Sequence, residues 1–150
     1  MAGTATTADP RIEPGLGRFL AVMAAANLGW EVLQLPLYTV WSTASPPMIA
    51  WAVIHCTAGD MLIGAAAFVI GRRLTRGLPR TAFVAALVTL GVANTVFSEW
   101  LNVPVRGSRA YAPAMPVMPP FGTGLPPLLQ WLVLPPAVFF LAGAFTKIRA

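Results

Sequence analysis

The sequence predicts an all-α membrane protein, a bundle of four transmembrane helices, and three observations carry that prediction. The chain is 57% hydrophobic and only 10% charged, with a mean hydropathy of +0.70, far outside soluble globular usage. Four stretches, near residues 19–40, 48–70, 81–103 and 125–146, approach the roughly 20 apolar residues that cross about 30 Å of hydrocarbon. The ten basic residues are then sorted by the spans, with eight of them on one side. At 150 residues the length suits one domain. Residues 1–17 are expected as a disordered cytoplasmic tail and 18–150 as the single transmembrane domain.

The opening MAGTATTADPRIEPG is short, polar and turn-rich, which motivates the tail. Ala2 stands where N-myristoylation needs glycine. The first span exceeds the about 7–15 apolar residues of a signal-peptide core, so the mature chain is expected to keep it despite the small residues STA at 42–44. Inside it, Asn27, Glu31 and Gln34 are spaced four and three apart and share one helix face. Tyr38 extends that stripe if Pro36 does not end the helix.

The second span runs back inward, placing His55 roughly 12 Å from Pro47 and Asp60 roughly 20 Å, near the midplane. The single cysteine, Cys56, permits no intrachain disulfide. It is expected as a small buried apolar residue on a different face from His55. Gly59 and Gly64, with Ala65 to Ala67, should let this helix pack closely. Arg72, Arg73, Arg76 and Arg80 fill the next loop. In the third span Thr95, Glu99 and Asn102 repeat the four-and-three spacing. Gln130 opens the fourth near the outer surface, and Pro135 with Pro136 should kink it, freeing the carbonyls of residues 131 and 132. Trp41, Trp100 and Trp131 are expected in an interfacial aromatic belt.

Two passages nearly repeat: WEVLQLP at 30–36 and SEWLNVP at 98–104 share E-x-L-[QN]-x-P, and PPMIAWAVI at 46–54 aligns with PPLLQWLVL at 126–134. The four spans therefore read as two tandem parallel-repeat hairpins related by an axis along the membrane normal. The copies have diverged, since His55 and Asp60 align with Pro135 and Phe140. Arg11, Arg18, the four loop arginines, Lys147 and Arg149 fall on one side, and only Arg106 and Arg109 on the other. The positive-inside rule then puts both termini in the cytoplasm and the 41–47 and 104–124 loops outside, in a bacterial-type inner (plasma) membrane, multi-pass. The basic residues are thus accounted for by topology, and no nucleic-acid-binding signature accompanies them.

A charge at the bilayer centre costs about 2.5–3.5 kcal/mol, so intramembrane acids mark functional sites by default. Their competing use is hydrogen-bonded glue between helices. The ligand-binding or proton-relay candidates are Glu31, His55, Asp60 and Glu99, with Asn27, Gln34, Asn102 and Gln130, forming a polar funnel that opens outward. The 104–124 loop is long, proline-stiffened and apolar enough to be a lid, carrying Arg106, Arg109 and Tyr111. Its arginines could pair with Glu99 or bind lipid phosphate or an anionic substrate. One histidine without a cysteine pair makes no metal or haem site, and no cofactor is expected. Copper(I) held by Met115, Met118 and His55 is conceivable chemically, but MPVMPP reads more simply as an apolar stiff segment.

The pattern E-x-x-Q-x-P at 31–36, followed by a span containing Ile54 and His55, resembles helices of the EXPERA-domain membrane proteins, which include sterol isomerases. The later spans depart from that family, and no residue roles carry over. The residues themselves favour a protein that binds, and could transport, a small molecule or lipid. The alternatives are an intramembrane acid–base enzyme, an isomerase or hydrolase acting on a lipid or isoprenoid, and a structural subunit of a membrane complex. Expected partners are membrane lipid, a small-molecule ligand and a second copy in a homodimer.

Overall fold

The computed structural model describes residues 14–147, with side chains described through residue 142. The tail expectation for 1–13 lies outside the described residues, whereas residues 16 and 17 belong to the first helix. That helix, α1 (Leu16–Gln34), is rich in Ala and Leu, both good helix formers. It tightens into a 3-10 turn at Leu35–Leu37, where Pro36 has no N–H to continue the α ladder. A single turn, α2 (Val40–Thr43), leads to α3 (Pro46–Leu74). The two prolines that open α3 sit where N–H groups would have no partner anyway.

Helix α3 stops at Thr75, whose hydroxyl donates to the Gly71 carbonyl at 2.8 Å, and Gly77 turns the chain at φ +81°. Helix α4 (Arg80–Trp100) runs into a π turn, Leu101–Val105, containing Pro104. The long loop before α5 then carries a two-residue antiparallel hairpin, β1 (Val117–Met118) with β2 (Thr123–Gly124), so the chain is not purely helical. Helix α5 (Leu125–Lys147) continues through Pro135 and Pro136.

The segments built on α1, α3, α4 and α5 are long and apolar enough to cross a membrane. Each packs on its sequence neighbours around the bundle, α1 on α3 and α5, α4 on α3 and α5. This leaves α1 and α4 on one diagonal. The end near the 71–80 turn is filled by aromatic rings: Phe19 on Phe68 and Phe68 on Phe83 at 5.1 Å, Phe83 on Phe139 at 5.5 Å. Met23, Leu87 and Trp131 complete this core. Outward faces are apolar too, with Leu62, Phe97 and Phe140 exposed, as suits helices surrounded by lipid.

Two glycines set helix spacing. Gly71 receives the Phe83 ring and Ala86 at ordinary contact distance. Gly91 is tighter: a Cβ there would stand 2.7 Å from Trp131 Cζ3, with Cε3 and Cδ2 closer still, so the indole lies flat on the α4 backbone. Trp131 is therefore core, 2% exposed, and not part of an interfacial belt with the exposed Trp41 and Trp100. A Cβ added at Gly59 would meet nothing within 4 Å, so this glycine is not the site of a close helix contact.

Candidate functional site

Between the aromatic core and the outer loop lies a cavity of about 760 Å³. All four spanning helices reach it, through Glu31 and Gln34 of α1, Asp60 of α3, Glu99 of α4 and Gln130 of α5. Trp131 forms part of its floor. Gly59 lies on its wall, where the missing side chain leaves space.

The floor is an amide–carboxyl network. The Gln34 side chain donates to Glu31 Oε1 at 2.8 Å, while its own oxygen accepts from Trp30 Nε1 at 3.2 Å. Gln130 reaches across from α5, its Nε2 donating to Asp60 Oδ2 at 2.7 Å and Asn27 Oδ1 at 3.1 Å. Gln130, in the second turn of α5, is 2% exposed and points into the interior. The stripe of α1 and the acid of α3 are thus joined by one residue of α5.

The roof is the 104–124 loop, latched to α4. Glu99 accepts from Arg109 Nη1 in an ion pair of 3.2 Å, from the Tyr111 hydroxyl in a short bond, and from the Tyr38 hydroxyl at 3.5 Å. The backbone fastens the same loop to the segment after α1: Thr39 N–H donates to the Ala110 carbonyl at 3.0 Å and Ala112 N–H to the Leu37 carbonyl at 2.9 Å. The Tyr111 hydroxyl also accepts from Gly124 N–H, tying hairpin to latch. Burial, then the hydrogen bond to Glu99 and its charge, push the Tyr111 hydroxyl well above the usual tyrosine range. Burial opposes the Arg109 charge, but Cys56 and Glu99 more than offset it, and the guanidinium stays a firm cation.

The expected residues sort into three groups. Asn27, Glu31, Gln34, Asp60 and Gln130 meet in the floor. Glu99, Arg109 and Tyr111 form the latch. His55, Asn102 and Arg106 line the wall and rim. His55 stacks on Trp51 with centroids 5.7 Å apart, and among the described residues it makes no hydrogen bond to Glu31 or Asp60. Asn102 turns from Glu99 to the loop, donating to the Ser98 carbonyl at 2.8 Å and accepting from the Ser108 hydroxyl at 3.1 Å.

Cys56 corrects the expectation, because it lines the same cavity as His55 and its Sγ accepts from Arg109 Nη2 at 3.4 Å. Met115 is buried in the roof and Met118 exposed on β1, and neither lines the cavity with His55. Sequence reasoning passed over Asn94 and Ser98, which also line it. The signal was present, since 94, 98 and 102 make a second four-residue stripe beside Thr95 and Glu99. No family model, curated protein or solved structure matches this chain.

Proposed function

We propose that this chain is a multi-pass protein of a bacterial-type inner membrane whose outward-facing cavity binds, and serves to transport, a small molecule or lipid. One observation carries the reading: polar side chains of all four spanning helices converge on a cavity of about 760 Å³. Groups serving only as glue would close on each other, whereas these leave space of ligand size, within the usual 300–1,000 Å³. The basic residues support the orientation, since the loop over the cavity lies opposite the four arginines of 71–80.

The duplication gains support from burial. Shifting α1 by 68 residues carries its buried Phe19, Met23, Asn27 and Glu31 onto the buried Leu87, Gly91, Thr95 and Glu99 of α4. The diagonal placement of α1 and α4 suits an axis along the membrane normal. The other halves have diverged further: Trp131 is buried, and its counterpart Trp51 is 61% exposed beside the cavity.

The test is to purify wild type and Glu31→Gln in mild detergent and identify retained molecules by mass spectrometry. A defined species lost in the variant supports the reading; identical nonspecific lipid in both overturns it. A second reading, acid–base catalysis on a lipid or isoprenoid, draws on Glu31 and Asp60 both being reached by Gln130 Nε2, at 3.5 Å and 2.7 Å. Two carboxyl groups held against one amide can divide acid and base roles between them. Its signature would be a bell-shaped pH–rate profile abolished by Asp60→Asn.

A further inference from the structure

We infer that the ligand of this cavity is an anionic amphiphile, a carboxylate or phosphate head on an apolar chain, held at the rim by Arg106 and Arg109. The inference rests on the cavity being a binding site and adds the class of molecule that fits it.

The charges in the cavity are sorted by position. Its acids at the floor, Glu31 and Asp60, are engaged by the amides of Gln34 and Gln130. Glu99, at the roof, is already met by Arg109 and two tyrosine hydroxyls. The rim has a guanidinium left over. Arg106 lines the cavity, is exposed, and forms no ion pair among the described residues. Arg109 spends only one nitrogen on Glu99, and its Nη2 faces Cys56 Sγ, a weak acceptor. Two guanidiniums against one carboxylate leave an excess positive charge at the rim. Guanidinium forks match carboxylate and phosphate oxygens in pairs.

The apolar half follows from the wall. Met48 and Trp51, on the first turns of α3, line the cavity and are 55% and 61% exposed. Such large apolar side chains left uncovered at the cavity wall suit contact with an acyl chain rather than with water. Val40 continues this wall on the loop side. A head bound at the rim would let its chain lie along Trp51 and Met48 without leaving hydrocarbon. A soluble anion would gain nothing from that wall.

The experiment measures saturable binding to the full chain in neutral maltoside micelles. The probes are dodecyl phosphate and dodecanoate, with dodecylammonium and dodecanol as equal-chain controls and inorganic phosphate as the head alone. The two anionic amphiphiles should bind at least tenfold more tightly than either control and than inorganic phosphate. Arg106→Gln should remove most of that preference and Arg106→Lys restore part of it; Arg106 is exposed, so both variants should fold. Equal binding of all four chains, or an unchanged preference in Arg106→Gln, overturns the inference while leaving a binding cavity. Inorganic phosphate binding as tightly as dodecyl phosphate overturns the amphiphile and leaves a soluble anion. Absence of saturable binding by every probe overturns the inference, and the cavity reading falls with it only if no molecule is retained on purification.

Discussion

Gly91→Ala should unfold this bundle at lower temperature, by an amount the contact geometry sets. The added Cβ would lie 2.7 Å from Trp131 Cζ3, with two further ring atoms closer. Carbon atoms settle at about 3.5–4.0 Å, so the indole or the helix must retreat by more than about 1 Å. Overpacking of this kind costs about 1–3 kcal/mol, and three ring atoms in collision place it near the upper end. Alanine's better helix propensity returns about 1 kcal/mol. A net loss of about 2 kcal/mol lowers Tm by roughly 4–8 °C for a chain of this size. Near-ultraviolet circular dichroism in detergent would read it. The indole cannot sink past α4, so it should rise into the cavity it floors, and ligand binding should weaken together with stability. Trp131→Leu in the same background removes the collision, so the double variant should lose less than the sum of the singles. A Gly91→Ala protein with wild-type Tm and binding, or strictly additive variants, would refute the account.

Other expectations concern the latch and the floor. Cys56, the single thiol, lines the cavity beneath Arg109, so Glu99→Gln should raise its labelling rate with a water-soluble maleimide several-fold; an unchanged rate would mean the roof is held by its backbone bonds alone. Gln130→Ala strips Asp60 and Asn27 of their shared donor and should cost about 1–3 kcal/mol, measured by denaturation in detergent; a loss below about 0.5 kcal/mol would show that water replaces the amide. Because Tyr111 is raised in the folded state, its contribution is complete below the ordinary tyrosine value of about 10 and fades only as pH climbs through the higher folded one. In a Tyr38→Phe background, absorbance of the phenolate at about 295 nm should therefore remain absent near pH 10, and its appearance there would contradict the buried latch.

The spans were legible because hydropathy over 20 residues is a collective signal that no single neighbour overturns. The stripe at 27, 31 and 34 was legible for a similar reason, since helix periodicity alone puts those residues on one face. What stayed hidden depends on partners distant in sequence. Gln130 is legible as a member of the polar set, but its partners are not, and only the packing of α5 on α1 delivers it to Asn27 and Asp60. Arg109 and Arg106 are indistinguishable by composition, yet the turn at Gly107, φ +61°, precedes the one that meets Glu99. Cys56 was assigned away from His55 on the helical wheel, but a cavity this wide is lined by neighbouring faces of one helix. Trp51 and Trp131 occupy matching motif positions, and the glycine opposite Trp131 on α4 is what draws only that ring inward.

The ring stack from Phe19 through Phe68 and Phe83 to Phe139 closes one end of the bundle, and this bears on traffic. A molecule in the cavity that crossed to the far side would have to part three ring contacts, each worth about 0.5–1.5 kcal/mol beyond the burial they hold. The wall beside Trp51 and Met48 asks for no such rupture. A ligand of the proposed kind would therefore meet more resistance along the bundle than beside Trp51 and Met48, and carrying it across would take a rearrangement of the ring stack.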